Sequence, residues 1–311
     1  MGTFEEEHLL SRQEYGLLFP YIIDERISGI LWNGRALWIR DVSGESRMSG
    51  ESLTEGFVDK LGMIASSRTG SKFGAKDPVF SRDIGDISIR MIHGSVAIAG
   101  TTICIEKRKK PEKVSEAALI KNGVTDAGGI GCLQDIVKNG LSFLIHGEYG
   151  SGRLELMRFL CGCMDDGELI VCADDAMILG IQKIYPEKNI ISIRCQDETP
   201  DCLYDICETL HPKRLIVCGS DVRYLTPDLM KSIWSGRLSA GLVVSGVMSS
   251  DVAESIFSWD RDGNFGRMQR NLRKAFPVWI SMKKGRGIDS MTKYGMGTEE
   301  RLWSREDRDE T

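Results

Sequence analysis

Histidine is scarce in this sequence, with four residues among 311, and the four are scattered. Cysteine is more plentiful at nine, yet no two cysteines form a CxxC pair, so no zinc-binding pattern is completed. Several sit inside apolar runs ("LIVCG", "LIVCAD", "TTICIE"), which reads as buried thiols in a reducing compartment and not as a disulfide framework. No apolar run approaches the roughly 20 residues that a bilayer-spanning helix needs. The N-terminus, "MGTFEEEHLL", lacks the apolar core of a signal peptide, and Glu6 stands where a myristoylation signal asks for Ser or Thr. A strong positive charge is missing as well. The formal net charge is -5, which gives no reason to expect nucleic acid as a partner. Internal repeats and low-complexity tracts are absent. The expectation is a cytoplasmic globular protein without a metal site.

What is present points to two domains. Hydrophobic residues make up 41% and charged residues 27%, the mixture of an ordinary globular fold. The first third is strand-rich. "ISGILWNGRALWIRDVSG" predicts a hairpin around Asn33-Gly34, and "DISIRMIHGSVAIAGTTICIEKR" predicts two more strands around His93-Gly94. Between them, Leu53, Phe57, Leu61 and Ile64 carry helical spacing. The charged stretch "EKRKKPEK" then marks a boundary. Beyond it, apolar strands alternate with helices in the manner of a parallel α/β domain. The predicted division is an N-terminal α/β domain over 1–106, a linker over 107–118, a second domain over 119–296 and a flexible polar tail over 297–311.

One turn in the second domain carries the chemistry. "LIHGEYGSGRLELMRFL" places Gly147, Gly150 and Gly152 between a buried strand and a helix, where a phosphate-binding loop has G-x-x-x-x-G-K-[ST]. Backbone N–H groups can converge on phosphate there, and the helix N-terminus favours negative charge. The side chains differ from the motif. Arg153 stands in place of the lysine, and its wide planar fork cannot sit between phosphates as a compact ammonium does. Leu154 replaces the hydroxyl that would hold Mg²⁺. Losing one charge-assisted contact costs roughly 1.5–3 kcal/mol, or about ten- to a hundredfold in affinity. Ser151 and Tyr149 complete the loop, with Tyr149 at its tip. His146, just before the loop, reads as structural.

Taken in order along the chain, these segments resemble the ATPases of type II and type IV secretion systems, including the VirB11-like and Tad pilus ATPases. "GILWNGRALWIRDVSG" and "SVAIAGTTICIEKRKK" are similar to that family's N-terminal segments, and "GEYGSGRLEL" stands where the family has "GGTGSGKTTL". "VCADDAMIL" is similar to its Asp box, "HPKRLIVCGSDVR" to its Walker B region, and "GLVVSGVMSSDVAESI" to its His box. The resemblance implies a RecA-like P-loop NTPase domain preceded by a smaller mixed α/β domain. It further implies a homo- or hetero-oligomeric hexameric ring at the inner face of the cell membrane, working with an inner-membrane platform protein. ATP, bound weakly, and Mg²⁺ are the implied cofactors.

By the same resemblance Asp174 and Asp175 occupy the Asp box. The Walker B carboxylate falls at Gly219 or Asp221, and the spacing to the next segment favours Asp221. Gly246 replaces the His-box histidine, and Glu106 reverses the charge of an N-terminal arginine. With the lysine, hydroxyl and histidine positions all changed, the site reads as a dismantled ATPase acting as a ring or scaffold component. A divergent working motor, using Arg153 with Asp174, Asp175 or Asp221, is the alternative. A third reading, DNA handling through Lys107–Lys110 or Lys283, Lys284 and Arg286, yields to a solvated linker and a solvated turn.

Overall fold

Two apolar runs broken by Asn33 and Gly34 start the first sheet. The computed structural model describes residues 10–84, 87–107, 111–148, 150–174, 178–193, 201–218, 225–246, 265–295 and 297–305. The chain divides into two compact units, Met1–Lys110 and Pro111–Thr311. In the first, β1 (Ile27–Trp32) and β2 (Leu37–Asp41) form the hairpin expected at Asn33-Gly34. Asn33 Oδ1 accepts the amides of Arg35 and Ala36 at 3.0 and 2.9 Å, closing the turn. With β3 (Ser46–Met48), β4 (Val79–Ile84), β5 (Ile87–Ile92) and β6 (Thr102–Lys107) they make an antiparallel sheet ordered β3-β2-β1-β6-β5-β4.

Alternation gives that sheet one apolar face. Ile30, Leu37, Ile39, Ile89 and Ile105 turn inward against Val58, Leu61 and Ala65. These last three lie on one face of a helix over Glu55–Arg68, capped by the Thr54 side chain. Two short helices, α1 (Arg12–Tyr15) and α2 (Phe19–Ile23), precede it, so it is α3. Tyr15, Leu18 and Ile22 complete the core.

The second unit is a three-layer α/β structure around a mixed sheet, ordered β14-β13-β12-β7-β11-β10-β8-β9. Its strands are β7 (Phe143–Gly147), β8 (Ile170–Asp174), β9 (Ile190–Ile193), β10 (Arg214–Cys218), β11 (Ser239–Ser245), β12 (Val278–Lys283), β13 (Gly287–Tyr294) and β14 (Glu299–Ser304). From β9 across to β12 the pairing is parallel; β12, β13 and β14 pair antiparallel. Both faces are covered, which explains why "FLI", "IVCA" and "RLIVC" read as continuous apolar runs. Phe143, Ile145, Ile170, Cys172 and Ile216 face one core. Leu144, Val171, Ala173, Leu215 and Val217 face the other.

The helices of this unit are α4 (Glu116–Lys121), α5 (Ala127–Lys138), α6 (Arg153–Gly162), α7 (Ile181–Ile184), α8 (Cys202–Leu210), α9 (Pro227–Trp234) and α10 (Phe265–Ala275). α5 and α6 pack on the first face through residues such as Leu133, Leu156 and Leu160. α8, α9 and α10 pack on the second through Leu203, Leu229 and Leu272. Among the described residues no helix is long and apolar enough to cross a membrane.

Three boundaries differ from the expectation. Lys107, expected to open the linker, closes β6, and its ammonium donates to the Tyr21 and Asp24 carbonyls at 3.3 and 2.6 Å. Helix α4 begins at Glu116, inside the expected linker, because Ser115 Oγ accepts the Ala118 amide and starts a helix there. The expected polar tail contains β14. "EERLWS" looks solvated by composition, but Leu302 and Trp303 pack against the core, and Trp303 Nε1 donates to Asp126 Oδ1 at 3.0 Å. Asp126 itself caps α5 by accepting the Gly129 amide at 2.7 Å. Trp303→Ala is therefore expected to lower the thermal midpoint, by the equivalent of roughly 2 kcal/mol. An unchanged midpoint would contradict the packing of β14 against this core.

Candidate phosphate-binding site

Strand β7 is central, flanked by β11 on one side and β12 on the other, all three running parallel. Gly147, its last residue, pairs with Ser245 and Met282 in register. The loop after β7 therefore opens at the carboxyl ends of parallel strands, where α/β sheets leave a crevice for ligands.

Glycine at 147 is required by crowding. A Cβ there would stand 2.3 Å from the Met282 carbonyl oxygen and 2.9 Å from Ser151 Oγ, so any side chain would force the strand ends apart. Gly152 is required by conformation. It caps α6 at φ +90°, a left-handed geometry open to few other residues. Between them the chain turns tightly, with the Ser151 amide donating to the Glu148 carbonyl at 3.2 Å. Ser151 is only 5% exposed, and its Oγ has no hydrogen-bond partner. Beyond Gly152 the first amides of α6 have no carbonyl a turn earlier to receive them. Tyr149 lies outside the described residues.

The side chains at the two motif positions are turned to other uses. Arg153 opens α6, and its guanidinium Nη1 donates to the carbonyl of Val244, on β11. Leu154 packs against the hydrophobic core. The loop thus offers backbone donors and an orphan hydroxyl to a phosphate, while Leu154 cannot ligate a metal. These residues fit a phosphate better than Mg²⁺.

Asp174 ends β8 and is buried. Its Oδ1 accepts the Ile178 amide at 2.8 Å, and its Oδ2 accepts those of Leu179 and Gly180 at 2.9 and 3.0 Å. Arg158, on α6, grips the same segment from the other side: Nη2 donates to the Ile178 carbonyl at 2.7 Å and Nε to that of Leu179 at 3.1 Å. Carboxylate and guanidinium together satisfy both edges of this bend. Burial pushes the Asp174 carboxyl above its ordinary value, opposed by the three amides and by Arg158.

His146 is buried beside Trp279, with ring centroids 5.7 Å apart, and its Nδ1 donates to the Gly246 carbonyl at 3.4 Å. Burial lowers its pKa, the hydrogen bond to Gly246 works against this, and the positive charge of Arg153 lowers it further. Gly246 in turn donates its amide to the Gly147 carbonyl at 3.3 Å. The position where the resemblance puts a histidine is thus part of the backbone frame around the loop. Glu106, in the first unit, is ion-paired within its own sheet, 2.6 Å from Arg90 and 3.7 Å from Arg40. Asp175, Gly219 and Asp221 lie outside the described residues. Sequence reasoning missed the Asp174–Arg158 clamp and the Met282 carbonyl against Gly147. The first depends on a loop geometry, the second on strand order, and neither leaves a signal in the local sequence.

Comparison with solved structures decides the fold. The ATPase DotB of Yersinia pseudotuberculosis superposes with a TM-score of 0.56 at 11% identity, over 90% of this chain and 75% of that one. The pilus retraction motor PilT with bound ADP superposes at 0.53 and 13% identity, over 85% and 76%. This chain has the fold of the pilus and secretion ATPases. The RecA-like architecture expected from the sequence is therefore the one observed. Legionella pneumophila DotB has a TM-score of 0.51 at 10% identity, covering 82% of this chain and 72% of that one. In sequence, the chain is 26% identical over 170 residues to a Mycobacterium tuberculosis protein named provisionally as a conjugal transfer protein. That match covers 52% of this chain and 48% of the relative, so the chain spans about half the length of the curated relatives it matches. No family model matches the chain.

Asp174 stands at the carboxyl end of β8, and its oxygens serve the bend over 178–180. Asp174→Ala should leave three amides without acceptors and lower stability by at least roughly 2 kcal/mol, read as a fall in thermal midpoint. A variant with an unshifted midpoint and altered nucleotide handling would instead make Asp174 a reacting carboxylate.

Proposed function

We propose that this chain is a secretion- or pilus-machine subunit of the ATPase family with a degenerate ATP site. On this reading it binds ATP weakly through the backbone of the loop over 147–154 and serves as a ring or scaffold component. One contrast carries the reading: the glycine geometry of a phosphate loop is kept, while Arg153 is directed to the Val244 carbonyl and Leu154 to the core. A site under selection for hydrolysis needs a lysine-like charge on the phosphates and a hydroxyl on the metal; a site kept for shape or for weak binding needs neither. Its partners on this account are other copies of itself or an active homologue, assembled as a hexameric ring against an inner-membrane platform protein. It would lie in the cytoplasm, at the inner face of the membrane. Asp174 is assigned to holding the bend over 178–180, and Asp175 and Asp221 are the carboxylates proposed for Mg²⁺ should the chain be a working ATPase.

A second reading is a divergent working ATPase. The observation that favours it is Ser151, whose buried hydroxyl has no partner and is free to meet a phosphate or a water on Mg²⁺.

Calorimetric titration with ATP, with and without Mg²⁺, tests the proposal when phosphate release is followed on the same sample. The expected result is binding about ten- to a hundredfold weaker than an intact loop gives, with no turnover. Mg²⁺-dependent release abolished by Arg153→Ala would establish the working motor instead. No binding at millimolar ATP would remove the nucleotide from the account and leave a scaffold.

A further inference from the structure

The phosphate loop has a lysine beside it that does not belong to its motif. β12 runs parallel to β7 with Met282 opposite Gly147, so the residues that follow in each strand emerge side by side at the same edge of the sheet. Those following Met282 are Lys283 and Lys284, at the β12–β13 turn. The two lysines are placed differently. Lys283 is ion-paired with Asp289 Oδ1 at 2.9 Å. Lys284 leans over the loop, its Cε 3.8 Å from where a Cβ on Gly150 would stand. Gly150 itself adopts φ +80°, keeping the approach to the loop free of a side chain.

We infer that Lys284 is the phosphate-contacting cation of this site. It supplies from the β12–β13 turn the compact ammonium that the loop lost when Arg153 replaced lysine. The inference rests on the proposed nucleotide-binding reading and names the residue that makes such binding electrostatically tenable. Three observations converge on it. Arg153 is engaged with the Val244 carbonyl on the β11 side of the loop. The Ser151 hydroxyl, buried within the loop, is unpartnered. The ammonium stem of Lys284 stands on the opposite, β12 side, directly at the turn. A lysine carries three donors on a flexible stem and reaches a phosphate as a point charge, which the planar guanidinium of Arg153 cannot do in the same space.

Titration of the full chain with ATP, ADP and AMP, repeated on Lys284→Ala, Lys284→Arg and Lys283→Ala, tests the assignment. Lys284→Ala should weaken ATP and ADP by about tenfold while changing AMP by less than about twofold. Lys284→Arg should recover only part of the loss, because the charge is retained but the compact ammonium is not. Lys283→Ala should leave all three affinities unchanged. Equal affinity of the native chain and Lys284→Ala for ATP would overturn this assignment and leave the nucleotide reading standing. Equal weakening by Lys283→Ala would also overturn it, reducing the effect to the general charge of the turn. Absence of any ATP binding by the native chain would overturn both.

Discussion

The contact between the end of β7 and the Met282 carbonyl governs the candidate site. Three parallel strands end in register there, and the middle one must turn directly into a helix without a side chain at Gly147. Close packing allows no compromise: an added methyl would sit 2.3 Å from a backbone oxygen. The tight turn between β7 and α6 is built around that constraint. A fold that preserves this arrangement keeps a phosphate-shaped backbone as a by-product of its own packing, whatever becomes of the chemistry.

The polar side chains around the loop show what the packing has absorbed. Arg153 satisfies a strand-end carbonyl. Asp174 and Arg158 fasten the two edges of one bend. His146 is held between Trp279 and the Gly246 carbonyl. Each of these side chains is engaged with another part of the protein. A buried carboxylate with three amide donors is costly to remove and poorly placed to accept a proton in a reaction.

Much of the fold was legible because parallel strands buried on both faces produce unbroken apolar runs, and because Gly147, Gly150 and Gly152 mark a strand-to-helix turn by their spacing. The hairpin at Asn33-Gly34 was equally plain, since few residues other than Asn and Gly suit that turn. β14 was not, because its composition looks solvated, and what anchors Trp303 is the core and Asp126, far away in sequence. The site was half legible. Residue types at 153 and 154 announced that the motif had changed, but the sequence could not say where Arg153 points. That depends on a carbonyl of β11, a neighbour set by strand order. Lys284 read as part of a solvated turn for the same reason: only the register of β12 against β7 brings it to the loop.

The central proposal is that the loop backbone binds phosphate while Arg153 and Leu154 are engaged with the protein itself. Amide hydrogen exchange over residues 147–154, with and without saturating ATP, examines that backbone directly. The account predicts slowed exchange at the amides of Gly150, Gly152 and Arg153 on adding ATP, with protection surviving Arg153→Ala. Exchange rates at these amides that do not change with nucleotide, in a sample shown to bind ATP, would contradict it, because the ligand would then sit elsewhere on the chain.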